Sequence, residues 1–143
     1  MALTLPLLVG VARADTAGTM TITRDTRLRG NHHGSVVIAA DNVTLDCAGF
    51  TIAGPPTLPE QSVSGVFVQQ RSAVTVRNCR VTGFGHGIEV VDSTDVSIIG
   101  NHAFDNTSET PGDGLLVIRG KDTRLKNNVS SGNVQGIEVL ESD

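Results

Sequence analysis

A tetrapeptide that returns four times constrains this chain more than any other feature. It reads Gly-Val-Phe-Val at Gly65–Val68, Gly-Ile-Glu-Val at Gly87–Val90, Gly-Leu-Leu-Val at Gly114–Val117 and Gly-Ile-Glu-Val at Gly136–Val139. The first and last intervals are equal, and the middle one is longer by a short polar stretch, Thr107–Gly112, which reads as a loop. A second series follows each Gly at a constant offset, at Ala73–Val76, Asp95–Ile98 and Asp122–Leu125. An earlier copy, Asn42–Leu45, stands further from Ala73 than one such interval, with the Pro-rich insertion Gly54–Ser62 between them. A third, weaker series opens at Asn78, Asn101 and Asn128.

Each unit therefore holds three short segments of alternating apolar and polar residues, bounded by Gly, Asn, Asp or Ser. Alternation sends one side chain inward and the next outward along a strand. The first segment points Val66/Val68, Ile88/Val90, Leu115/Val117 and Ile137/Val139 inward, and the second Val43/Leu45, Val74/Val76, Val96/Ile98 and Thr123/Leu125. One such unit cannot enclose its own apolar face, whereas stacked units bury a continuous one. A leucine-rich repeat of similar period needs a helical or irregular convex arc and a regular Leu/Asn pattern, and neither is present. A β-sandwich would not repeat one tetrapeptide in register. The expected architecture is all-β, a right-handed parallel β-helix (solenoid) of about four to five coils of roughly 22 residues. With four Phe, no Trp and no Tyr, its interior has to be aliphatic. Asn101/Asn128 and Asn106/Asn133 recur at the corners with the same interval as Gly87 and Gly114. There an amide can bond the next coil, and Asn tolerates left-handed backbone geometry.

Met1–Ala14 is a different kind of segment: an apolar run ending in Ala-Arg-Ala, which reads as a signal peptide or as a segment capping the first coil. Asp15–Asp143 is then a single β-helix domain, or a piece of a longer one, because the last repeat strand is followed only by Glu141-Ser142-Asp143. Uncapped coils of this kind invite end-to-end self-association. No other stretch approaches the ~18 apolar residues of a membrane span. The net charge of −4 and the scattering of the 11 Lys and Arg singly along the chain argue against a nucleic-acid partner. Cys47 and Cys79 fall on neighbouring coils, where strand spacing is compatible with a disulfide and equally with stacked free thiols in the core.

Val36–Gly54, followed by Val74–Val90, resembles the right-handed β-helix repeat family. That group includes carbohydrate-binding and sugar-hydrolase repeat domains and the periplasmic accessory proteins of nitrous oxide reductase maturation. The resemblance runs from about Thr21 to the C-terminus and implies the fold. Its members span polysaccharide lyases, glycoside hydrolases, epimerases and adhesins, so it does not select an activity. Pectin-hydrolysing members carry a Gly-His-Gly motif, and Gly85-His86-Gly87 is similar to it. The accompanying Asp residues are not found upstream, where Asp41, Asp46 and Glu60 are unpaired in the sequence, and Ile118-Arg119-Gly120-Lys121 echoes the downstream segment only loosely.

Glycoside cleavage needs two carboxylates at a defined separation. Asp92 and Asp95 instead flank a turn, and Asp95 and Asp122 share a repeat position suited to capping it. His32 and His33 point to opposite faces of a strand, while His86 and His102 occupy unrelated repeat positions. No metal site or cofactor is therefore expected, and no catalytic residue is assigned. The outward positions of the first strand, Phe67, Glu89, Leu116 and Glu138, form an exposed apolar and acidic stripe suited to a sugar chain or a protein partner. The alternative is that the loops at Gly54–Ser62 and Thr107–Gly112 cover it. The expectation is a secreted or surface module, non-catalytic, that binds polysaccharide or acts as a scaffold. The alternative is a polysaccharide-active lyase or hydrolase, or a truncated piece of one.

Overall fold

The computed structural model describes residues 14–54, 63–107 and 112–143, and in these the chain forms seventeen strands and no helix. The strands stack in three parallel sheets. Sheet 1 contains β1 (Thr16–Ala17), β4 (His32–His33), β7 (Thr51–Ala53), β10 (Arg80–Thr82), β13 (His102–Phe104) and β16 (Val129–Ser131). Sheet 2 contains β2 (Met20–Ile22), β5 (Val36–Ile38), β8 (Ser64–Gln69), β11 (His86–Val91), β14 (Asp113–Ile118) and β17 (Gln135–Leu140). Sheet 3 contains β3 (Thr26–Arg27), β6 (Thr44–Asp46), β9 (Ser72–Arg77), β12 (Thr94–Ile99) and β15 (Arg124–Lys126). Each coil supplies one strand to each sheet in turn, which is the β-helix arrangement the repeat predicts.

The register follows the tetrapeptides. Val66, Ile88, Leu115 and Ile137 lie on one ladder, and Val68, Val90, Val117 and Val139 on another. Their inward side chains merge with those of sheet 3, notably Leu45, Val76 and Ile98, into one aliphatic column, with Phe84 buried at a corner. At the last rung, Ile137 and Val139 are 47% and 52% exposed, because no described rung packs on their far side.

The stack has, among the described residues, five complete coils and the first two strands of a sixth, at the upper end of the four to five expected. Among the described residues, sheets 1 and 2 each hold six strands. The first coils escape a search for the main period because they are shorter. Met20 pairs with Val36 and Thr26 with Leu45, closer partners in sequence than Val66 and Ile88 are. The insertions at Gly54–Ser62 and Thr107–Gly112 lie largely outside the described residues, as does the Met1–Ala14 segment.

The corners use two chemistries, and those of the Asn ladders use both, with left-handed Gly100 and Asp105 directly before Asn101 and Asn106. Left-handed backbone recurs at Gln70, Asp92, Arg119 and Glu141, and again at Asn42, Ala73, Asp95 and Asp122, which bracket the tight turn from sheet 2 to sheet 3. Asn101 and Asn106 are not left-handed; they act through their amides. Asn106 Oδ1 accepts from the Phe84 N–H at 3.1 Å, and its Nδ2 donates to the Val81 carbonyl at 3.1 Å. Its own N–H donates to Asn133 Oδ1 at 2.8 Å. Asn101 repeats the pattern one corner earlier, with the Cys79 N–H, the Val76 carbonyl and Asn128. These internal ladders satisfy backbone groups that the turns would otherwise leave unpaired in the core.

The repeat glycine answers a need for space. A Cβ on Gly87 would lie 2.5 Å from the Gly114 carbonyl oxygen and 2.9 Å from the Ala103 Cβ. Only hydrogen fits between that rung and the Asn ladder.

Candidate functional site

Outward positions on sheet 2 align rung by rung as Val37, Phe67, Glu89, Leu116 and Glu138. The stripe expected from the sequence is thus assembled in order, but it is not uniformly exposed. Leu116 is only 5% exposed, whereas Phe67, Glu89 and Glu138 are half-buried. An outward direction on an interior rung does not guarantee water, since the rungs above and below shade it from both sides. The stripe is therefore interrupted at Leu116, with Val37, Phe67 and Glu89 on its N-terminal side.

That side forms one wall of a groove of about 560 Å³. Val37, Phe67 and Glu89 line it from sheet 2, and His33, Gly34 and Ser35 from the corner leaving sheet 1. Gly34 has φ +135°, and a Cβ there would strike the Gly18 carbonyl, so two coils meet backbone to backbone at this corner. The Ser64 hydroxyl donates to Glu89 Oε2, fixing the carboxylate at the groove's edge. The site therefore combines an apolar floor, one oriented carboxylate and a rim of hydroxyl, imidazole and backbone groups.

At the entry of the same strands a polar column runs through Ser64, His86, Asp113 and Gln135. Asp113 is buried, and its Oδ2 lies 3.0 Å from His86 Nδ1. The Asp113 N–H also donates to His86 Nδ1, at 3.3 Å, so the backbone and side chain of Asp113 converge on one ring nitrogen. With the Gln135 amide turned to donate, its nitrogen reaches Asp113 Oδ1 at 2.9 Å and Glu138 Oε2 at 3.0 Å. His86 is therefore tied into an inter-rung network, and the Gly-His-Gly resemblance finds no accessible acid pair around it among the described residues. The interval from His86 to Asp113 equals that from Gly87 to Gly114, so the repeat spacing alone could have found this pair.

The remaining candidates separate. His32 points into the core, with Nδ1 2.7 Å from Thr16 Oγ1, while His33 faces the groove. His102 sits on the outer face of sheet 1, bonded to Ser131 Oγ at 2.9 Å and packed against the Phe104 ring at 4.8 Å. Asp92 pairs with Arg119, which holds the same corner of the next coil, at 2.6 Å. Arg119 is the first cause of the fall of the Asp92 carboxyl below the ordinary carboxylate range. Asp95 and Asp122 are exposed turn residues with left-handed backbone. Cys47 and Cys79 are bonded to one another with a Cα separation of 4.7 Å, joining the coils on either side of the first insertion. Among the described residues, no three His, Cys, Asp or Glu side chains converge as metal ligands.

The family model for the right-handed β-helix region matches residues 10–143. The chain belongs to the right-handed β-helix family. That assignment gives the hand of the coil. No curated protein and no solved structure matches the chain significantly.

Proposed function

We propose that this β-helix is a secreted or surface-exposed, non-catalytic module that holds a carbohydrate chain in the groove over sheet 2. The observation that carries the reading is the pairing of an apolar floor, Val37 and Phe67, with one oriented carboxylate, Glu89 held by Ser64. A sugar presents an apolar ring face and a fringe of hydroxyls, and such a surface complements both. Glu89 is the one carboxylate among the described groove-lining residues, whereas acid/base cleavage requires two across the scissile bond. The buried disulfide supports an oxidising compartment.

The test is affinity electrophoresis against a panel of soluble neutral and acidic polysaccharides. Retardation by at least one glycan is expected, weakened about tenfold by Phe67→Ala, equivalent to ~1.4 kcal/mol. Unaltered mobility on every glycan would reject the reading. The enzyme alternative draws on the His86–Asp113 pair beside the Ser64–Glu89 edge. It requires reducing ends or unsaturated uronates to accumulate on incubation with the same panel, and to vanish in His86→Ala.

A further inference from the structure

The coil brings together side chains that the sequence keeps apart. Along the outer face of sheet 3, Arg27 pairs in register with Asp46, Asp46 with Arg77, Arg77 with Ile99 and Ile99 with Lys126. Cations therefore occupy alternate rungs of one row. At the ~4.8 Å separation of neighbouring strands, they recur about every 10 Å along the stack axis. A parallel row two positions earlier on each strand reads Thr44, Thr75, Ser97 and Arg124.

Asp46 does not cancel this row; it organises it. Its carboxylate is buried, with Oδ2 3.0 Å from Arg27 Nη1 and 3.4 Å from Arg77 Nε. Oδ1 accepts from the Ala48 N–H at 2.9 Å and from Asn78 Nδ2 at 3.2 Å. Burial would raise this carboxyl's pKa, but the Ala48 N–H, the Asn78 amide and the two guanidiniums outweigh it and hold the group ionised. The arginine side chains above remain 71% and 50% exposed, so an approaching ligand meets the guanidiniums first; Arg27, Asp46 and Arg77 carry one net positive charge along the row, which Asp25 beside it offsets. They border a shallow depression of about 280 Å³, whose wall includes the hydroxyls of Thr26 and Thr44 and also Asp25. Asp25 Oδ1 is taken up by the Thr44 N–H at 2.8 Å. Asp95 and Asp122 lie at the opposite margin of the sheet, one turn-side position shared by the strands that carry Ile99 and Lys126.

We infer that sheet 3 is a second binding face, on which a linear acidic polysaccharide lies along the stack axis with carboxylate or sulfate groups on Arg27, Arg77 and Lys126. The hydroxyl row of Thr44, Thr75 and Ser97 lies beside the cations to meet sugar hydroxyls. Among the described residues, this face presents no aromatic ring on which a base could stack. Its outward apolar side chain is the half-buried Ile99, which offers little to insert into a bilayer. The row of cations, joined by Arg124 beside Lys126, fits a polymer that carries an anion at regular intervals. This face is separate from the groove over sheet 2 and does not depend on it.

The experiment measures binding of the full chain to dextran sulfate and to polygalacturonate, with neutral dextran, duplex DNA and phosphatidylserine vesicles as comparators, over a series of salt concentrations. Binding to either acidic glycan but not to dextran is expected, and which of the two binds tells sulfate from carboxylate. The log–log salt slope should fall by about two in Arg77→Gln/Lys126→Gln, one per cation removed, with affinity down at least tenfold. Lys126→Gln alone, remote from the buried Asp46, should lower the slope by about one. The fall in salt slope on Arg77→Gln/Lys126→Gln should be the same in a Phe67→Ala background, because the groove over sheet 2 contributes separately. Wild-type affinity in the folded double variant, equal binding to neutral dextran, or tighter binding to DNA or vesicles than to both glycans would each overturn the inference.

Discussion

Reduction of the Cys47–Cys79 bond should destabilise this protein by more than its small contact area suggests. The bond joins positions 32 apart, and the chain between them contains the first insertion. Closing a loop of that length in the unfolded chain is worth roughly 3–4 kcal/mol in the chain-entropy account. The bond also sits at a short interface. Between the coils it joins, β5–β8, β6–β9 and β7–β10 each pair over three positions, whereas β8–β11 and β9–β12 in the next interface pair over five. In a solenoid, stability is close to a sum of nearest-neighbour interfaces, so a staple at a short interface protects the whole array from parting there. Oxidised and reduced wild-type protein contain the same side chains, which avoids the cavity that Cys→Ala would leave. Urea unfolding followed by far-UV circular dichroism should show the midpoint falling by roughly 1.5–2 M on reduction, taking an m-value of ~2 kcal/mol/M. A second, lower transition should appear as the N-terminal coils melt separately. A shift below about 0.5 M with one cooperative transition would refute the reasoning, and would mean that ladder pairing alone holds this interface.

Asn106→Ala removes both the acceptor for the buried Phe84 N–H and the donor to the Val81 carbonyl, and should cost about 2–4 kcal/mol. A loss under about 1 kcal/mol in thermal or urea melts would show that water replaces the amide. Gly87→Ala should destabilise by about 1–3 kcal/mol through overpacking, whereas Gly136→Ala, where a Cβ would meet only Ser130 Oγ at 3.7 Å, should change stability little; equal effects in calorimetry would contradict the crowding argument. His32 is held below its ordinary value of 6.5 first by burial, against backbone hydrogen bonds with Ser35 and Gly18, and with a further lowering by His33. Below pH ~6.5 the unfolded chain therefore binds the extra proton, and stability should fall with pH until the folded form also protonates. A pH series of urea midpoints in which His32→Gln shows the same slope as wild type would dismiss that assignment.

Much of the fold is legible because the tetrapeptides that repeat are the strands that stack. The register of Val66, Ile88, Leu115 and Ile137 follows directly from their spacing. The first coils are not legible, since their shorter turns carry no Gly-led tetrapeptide and share no period with the rest. Asn101 and Asn106 are ladder residues, as their recurrence implies, but only one of the two properties that suit Asn to a corner is in use. Their own backbone is ordinary, and the left-handed position at each of these corners falls to the residue before, Gly100 and Asp105.

The candidate sites show why local motif reading underperforms on a chain of this kind. A coil makes neighbours of residues a full repeat apart and sends adjacent residues to opposite faces, so His32 is buried and His33 lines the groove. Arg27, Arg77 and Lys126 lie far apart in the sequence, and that dispersal argues against a basic patch only while the chain is read linearly; the register sets them in one row. The same rule recovers His86 with Asp113. What the period cannot supply is depth. Leu116 and Phe67 occupy the same repeat position and point the same way, yet one is covered and the other borders a groove, because exposure depends on what the neighbouring rungs and corners place beside them. In a β-helix the chemistry is therefore written at the repeat interval and its accessibility at the corners, and a reading that joins the two finds sites that neither contiguous motifs nor composition contain.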